Sequence, residues 1–174
     1  LSICRRPVGG EFTPHVTECN AVAVHVHAID EADVWFGVNP VHPDATGRGS
    51  ATDVTRLAAL YLDLDVKDGS CPTIDVAHQI INELAAMIGT RPSAIVETGH
   101  GLHPYWPVDD GRIGEEFTTM QAAALLRRWG HLVRLVAGGH GVEVDSVFDL
   151  ARILRVPGTV NYKADPVPVI GHRD

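Results

Sequence analysis

Residues 57–66 read LAALYLDLDV, and their last five positions decide how the chain is built. Leu62, Leu64 and Val66 alternate with Asp63 and Asp65. Side chains two apart on a strand project to one face, so the apolar trio turns to a core while both aspartates share the opposite face. Two carboxylates that close repel, and each raises the other's pKa unless a cation stands between them. A hard divalent ion such as Mg²⁺ takes oxygen ligands and keeps waters that substrate phosphates can replace, so the pair suits phosphoryl or nucleotidyl transfer. A surface strand with two solvated aspartates shows the same pattern, and this short motif alone leaves both readings open.

Downstream, Thr73 is placed to cap a helix over 74–88, with Ile74, Ala77, Ile81, Leu84, Ala85 and Ile88 at helical spacing and Gly89 at its end. Strands at 94–97 and 102–107 flank Thr98-Gly99-His100-Gly101, a hairpin turn. A long helix is expected from about 114 to 136, stopped by Gly138 and Gly139, then a strand at 142–145, a helical turn around 147–153 and a turn-rich return segment. Upstream, 21–28 alternates Val22, Val24 and Val26 with Ala23, His25 and His27, and 33–39 reads as a second strand. A polar loop over 42–50 follows, carrying the isolated charge of Arg48. Strands separated by helices, with one hairpin, predict an α+β (mixed α/β) fold, and no repeat or linker divides residues 1–174 into more than one domain.

Composition narrows the partners. With 174 residues, 45% of them hydrophobic, the chain can bury a core without staples. No stretch is apolar enough for a bilayer and the first residues lack a signal-peptide pattern, which points to the cytoplasm and to no membrane partner. Cys4, Cys19 and Cys71 form no C-x-x-C pair, and the ten histidines show no ligand rhythm, so no zinc is expected. A net charge of −8 weighs against a nucleic-acid partner. That charge is unevenly spread: residues 1–111 hold 6 basic against 15 acidic side chains, and residues 112–174 hold 8 against 7. A phosphate-binding surface would draw on the last third, with metal neutralising part of the acidic excess.

Two further segments carry chemistry. Thr98-Gly99-His100-Gly101-Leu102-His103 brings backbone N–H groups and imidazoles to one point, where small residues let a phosphate approach; His103, at the start of a strand, is the better-fixed ligand. A plain tight hairpin is the alternative. In VDSVFDLARILRVPGTVNYK (144–163), Asp145 ends an apolar strand and Arg152, Arg155 and Lys163 crowd into a short segment suited to phosphate recognition. Asp149 serves there as a helix N-terminal charge or as an arginine's partner, and a solvated helix face followed by a turn is the bland alternative.

Taken in order, YLDLDVK (61–67), ETGHGLHPYWP (97–107) and the 144–163 segment resemble the bifunctional DNA primase/polymerase domain of phage, plasmid and prophage replication proteins, within the archaeo-eukaryotic primase superfamily. The resemblance spans about 34–163, and no residue is carried over from upstream of it. It implies an N-terminal αβ unit plus a module like an RNA-recognition motif, with the active site in the cleft between them. It further implies Asp63, Asp65 and Asp145 as catalytic, metal-binding acids for two divalent ions, Mg²⁺ or Mn²⁺. Thr98, Gly99, Gly101 and His103, with Arg152, Arg155 and Lys163, would bind the nucleotide. The expected activity is template-directed primer synthesis or extension from nucleoside triphosphates on single-stranded DNA. Such a domain usually sits in a longer chain with a helicase, encoded by a phage, prophage or plasmid in a bacterial host.

Two other readings share these residues. A non-catalytic single-strand-binding sheet would offer Tyr105 and Trp106 to bases, although aromatics make up only 6% of the chain. A metal-dependent phosphodiesterase or nuclease would use the same acids for hydrolysis.

Overall fold

The computed structural model describes residues 1–18 and 31–173, so the strand expected at 21–28 lies outside the described residues. In chain order the described strands and α-helices are β1 (Ser2–Pro7), β2 (Thr13–Val16), β3 (Ala32–Gly37), β4 (Ala59–Tyr61), β5 (Leu64–Asp65), α1 (Ile74–Ile88), β6 (Ala94–Glu97), β7 (Gly101–Pro107), α2 (Thr119–Gly139), β8 (Ile153–Arg155), β9 (Val160–Asn161), β10 (Val167–Pro168) and β11 (Ile170–Arg173), with a short 3-10 turn at Ala51–Asp53. They build one sheet in the order β2-β1-β3-β8, a second in the order β11-β6-β7-β4 with β5 also on β7, and a small β9–β10 ladder. Neighbouring strands are antiparallel throughout, for example β3 against β8 and β6 against β7, which makes the fold α+β.

The second sheet and its helices follow the order β-α-β-β-α-β. Helix α1 begins where Thr73 accepts the Val76 N–H and ends at Gly89, whose φ of 78° allows its own N–H to reach the Ala85 carbonyl. Such a threonine cap contributes about 1 kcal/mol. Its buried stripe is Ala77, Ile80, Ile81, Leu84 and Ala85; Ile74, expected on that stripe, is left exposed in the first turn. Helix α2 starts at residue 119 rather than near 114, because Thr118 and Gln121 form a capping box there. Trp129 on α2 donates its indole N–H to the Tyr61 carbonyl at 2.7 Å and meets Trp106 edge-on at 5.1 Å, which ties the helix to the strands that carry the aspartates. Leu62 and Leu64 are fully buried on that side of the sheet, leaving the opposite face to Asp63 and Asp65.

Two expectations are corrected. The strand expected to end the 57–66 stretch is broken into β4 and β5, with Leu62 and Asp63 between them. Residues 142–152 form no strand and no helix; the helical turn expected around 147–153 is reduced to one hydrogen-bonded turn, Arg152 N–H to the Asp149 carbonyl at 3.3 Å, and Ile153–Arg155 is extended, as β8. Val142, Val147, Phe148 and Leu150 are all buried, a spacing that matches neither a period of 2 nor one of 3.6. Phe148 packs where a Cβ on Gly130 of α2 would come within 2.4 Å of its ring, so the mid-helix glycine is what admits it. No described helix is long and apolar enough to cross a membrane.

Candidate active site

An open cleft of about 160 Å³ lies between the two sheets. Its acidic wall is built on the β4–β7–β6 ladder. Tyr61 stands opposite Tyr105 and Leu64 opposite Leu102, so the same register carried through the gap sets Asp63 across from His103. The contact is made: His103 Nε2 is 3.1 Å from Asp63 Oδ1, with the imidazole 5% exposed. Asp65 lies one step along on the same face. Its Oδ2 accepts from Lys67 Nζ at 2.9 Å, and Lys163 Nζ approaches the same oxygen at 3.8 Å.

The turn glycines of this wall answer to protein packing. A Cβ on Gly101 would lie 2.0 Å from the Leu64 carbonyl oxygen, and one on Gly99, whose φ is 82°, would lie 2.6 Å from Val167 Cβ. Gly101 is therefore what lets β5, and the aspartate on it, lie against β7. Thr98 is buried; its hydroxyl accepts the His100 N–H and donates to the Gly101 carbonyl, each at 3.3 Å, closing the turn.

The facing wall is basic and comes from β3, β8 and the return segment. Arg155, on β8, lines the cleft while its guanidinium pairs with Asp33 and stacks 4.6 Å above the Trp35 ring. Asn161 is buried; its amide donates to the Thr98 carbonyl at 2.9 Å and its carbonyl oxygen accepts the Lys163 N–H at 3.0 Å, fastening the return segment to the glycine turn. Lys163 reaches into the cleft from there. Arg152 donates to the Val147 carbonyl at 3.0 Å and to Asp149 at 2.5 Å, bracing the irregular segment.

Burial alone would raise the Asp63 pKa. The hydrogen bond from His103, that residue's charge, and the charges of Arg152 and Lys163 outweigh it, so the carboxyl sits below its ordinary range. Lys67 is pushed up by its hydrogen bond and charge interaction with Asp65 and, more weakly, by Asp145 and Asp63. Two ammonium groups crowding one aspartate oxygen mark a position that attracts cations, and two carboxylates on one strand face are hard donors of the kind a divalent ion takes, with water or phosphate completing its shell. The residues present fit such an ion at Asp63 and Asp65. Among the described residues no group of three potential ligands is assembled for a metal. Asp145 does not join the pair: the irregular path of 142–152 leaves it exposed and off the cleft lining, although its charge is felt at Lys67.

Of the residues singled out from sequence, Asp63, Asp65, Thr98, His103, Arg155 and Lys163 line the cleft, whereas Gly99, Gly101, Asp145 and Arg152 do not. Sequence reasoning passed over Asp33, Trp35 and Asn161. The one available signal was an acidic residue opening an apolar strand, which must find a donor once buried. Two imidazole nitrogens, His103 Nδ1 and His100 Nε2, are buried without a hydrogen-bond partner among the described residues. A buried polar atom left so costs about 1–3 kcal/mol, and both rings line the cleft.

No protein-family model matches the sequence, and no curated protein matches it. Solved structures do. The chain aligns over 99% of its length with the AEP domain (PP-N190) of the cyanophage S-2L primase-polymerase (PrimPol), at 15% identity and a TM-score of 0.57, covering 80% of that chain. It is similar to primase RepB' at 15% identity and a TM-score of 0.59, spanning half of that chain. The catalytic domain of primase RepB' in complex with initiator DNA matches at 16% identity and a TM-score of 0.58, with 75% of that chain covered. At such identities the likeness is one of fold: the chain has the archaeo-eukaryotic primase-type fold along nearly its whole length.

Proposed function

We propose that this domain is a DNA primase-polymerase catalytic unit that adds nucleotides, from nucleoside triphosphates, to a primer end or an initiating nucleotide on a single-stranded DNA template. The observation that carries the reading is the cleft itself: Asp63, Asp65 and His103 on one wall face Lys163 and Arg155 on the other, in a fold shared with primases. Asp63 and Asp65 would hold the divalent cations, Mg²⁺ or Mn²⁺, which when bound acidify the attacking 3′-hydroxyl and offset charge on the triphosphate. The work of the side chains is placement and charge.

Lys163, anchored through its backbone to Asn161, supplies a point charge to the phosphates. His103, held by Asp63 through Nε2, lines the cleft beside that carboxylate and would fix its orientation toward the ligand. Displacement at the α-phosphate then leaves pyrophosphate against these cations. Trp106 is buried against Trp129 and Tyr105 is half-buried beside Phe36, so this pair is not free to stack bases, which speaks against a purely binding module built on it. The RepB' catalytic domain, whose fold this chain shares, is seen with initiator DNA, which supports DNA as the template. A helicase elsewhere in the full-length protein belongs to the same reading.

One assay tests it: a labelled template, nucleotides and Mg²⁺ or Mn²⁺, with products resolved by length. Extension is the expected outcome, and Asp63→Ala should reduce it more than about 100-fold, because even the outer partners of metal ligands cost 10–100-fold. Cleavage of the labelled strand would instead make the protein a hydrolase, and binding with neither product would make it a binding module.

A further inference from the structure

Asp33 stands at the join between the two walls. It lies near the start of β3, an inner strand of the first sheet, with its side chain 5% exposed, and receives three donors from distant parts of the chain. Oδ2 accepts from Arg6 at 3.0 Å. Oδ1 accepts from the Arg155 guanidinium and from the Tyr162 backbone N–H, the latter at 2.9 Å. Neither of those two partners is incidental to the cleft. Arg155 lines it, and Tyr162 lies between Asn161 and Lys163, both of which line it as well. A single carboxylate oxygen thus holds β8 and the return segment in one register. The Asn161 amide on the Thr98 carbonyl and the approach of Lys163 to Asp65 also tie that stretch to the acidic wall.

We propose that Asp33 is a positioning residue for the nucleotide's phosphates: it acts through the Tyr162 N–H on Lys163, without itself touching substrate. This rests on the function proposed above. A carboxylate that only filled a buried charge pair would affect stability alone. One that sets the place of Lys163 must lose its effect on phosphate binding once Lys163 can no longer use that place.

A double-mutant cycle separates the two. Binding of dATP and of ATP, each with Mg²⁺, is measured by calorimetry for the unaltered protein, Asp33→Asn, Lys163→Gln and the double variant, alongside melting temperatures. Asp33→Asn is expected to weaken the tighter-binding triphosphate by about tenfold, and by less than about threefold when Lys163→Gln is already present. The same loss on both backgrounds, or no loss, overturns the proposal. If Asp33→Asn does not fold, Asp33→Glu keeps the charge, shifts the carboxylate by one methylene and is measured on both backgrounds with the same criteria. Failure of the unaltered protein to bind either triphosphate would count against the primase-polymerase reading, and so is told apart from a failure of this proposal.

Discussion

The two walls of the cleft are made by different means. On the acidic wall, backbone ladders do the placing: the β4–β7 and β5–β7 registers set Asp63 across from His103, and the missing Cβ of Gly101 lets the strands close. On the basic wall a ladder holds only Ile153–Arg155 against β3, the backbone is otherwise largely irregular between 142 and 163, and single side chains do much of the placing, Asp33 on Arg155 and Tyr162, Asn161 on Thr98, Arg152 on Val147. A ladder spreads a register over many bonds. A carboxylate hub concentrates it in one group, so the basic wall should be disturbed by changes far from its cations, and the acidic wall chiefly by changes to its backbone.

The contrast is broken most severely at Gly101. Alanine there must displace the Leu64 carbonyl, so we expect Gly101→Ala to cost about 3 kcal/mol in denaturant unfolding and to remove extension activity together with the seat of β5. Lys163→Gln is the counterpart on the basic wall. Its ammonium is largely exposed, so stability should stay within about 0.5 kcal/mol while the KM for nucleotide rises about tenfold in the extension assay.

The hub can be probed by acid. Burial pushes the Asp33 pKa up, but the hydrogen bonds from Arg155, the Tyr162 N–H and Arg6, with the Arg155 charge, more than reverse it and hold the carboxyl below the usual range. A depressed pKa stabilises the fold above the unfolded value and loses that contribution as the pH falls through the folded one. The denaturant midpoint should therefore drop as the pH goes below the ordinary aspartate value of about 3.9, and Asp33→Asn should flatten part of that drop. Asp63 and Asp53, also depressed, should contribute to the remainder. The smallest effect is expected far from both walls: Thr118→Ala removes the α2 capping box for about 1 kcal/mol of stability, with the nucleotide KM unchanged.

What was legible in the sequence follows this division. The alternation at 62–66 placed Leu62 and Leu64 in the core and both aspartates on the cleft face, and the capped, periodic run at 74–88 is a helix with those bounds. The hairpin at 94–107 brings Thr98 and His103 to the cleft. Each rests on neighbours along the chain: a period, a cap, a turn. At Asp145 the same reasoning missed, because a short apolar alternation there looks like a strand while its valines are buried one at a time along a loop.

By itself, then, the sequence determined the α+β class, the shared face of Asp63 and Asp65, and the helix and hairpin that support them, since local backbone preferences and side-chain period decide those features. The tertiary structure alone decided that β8 closes the first sheet, that Asp145 stays outside the cleft, and that Arg155 is held by Asp33, 122 residues away. A buried charge must find a partner, but nothing in the local pattern of either residue says which one, because that choice is made only when the two sheets are brought face to face.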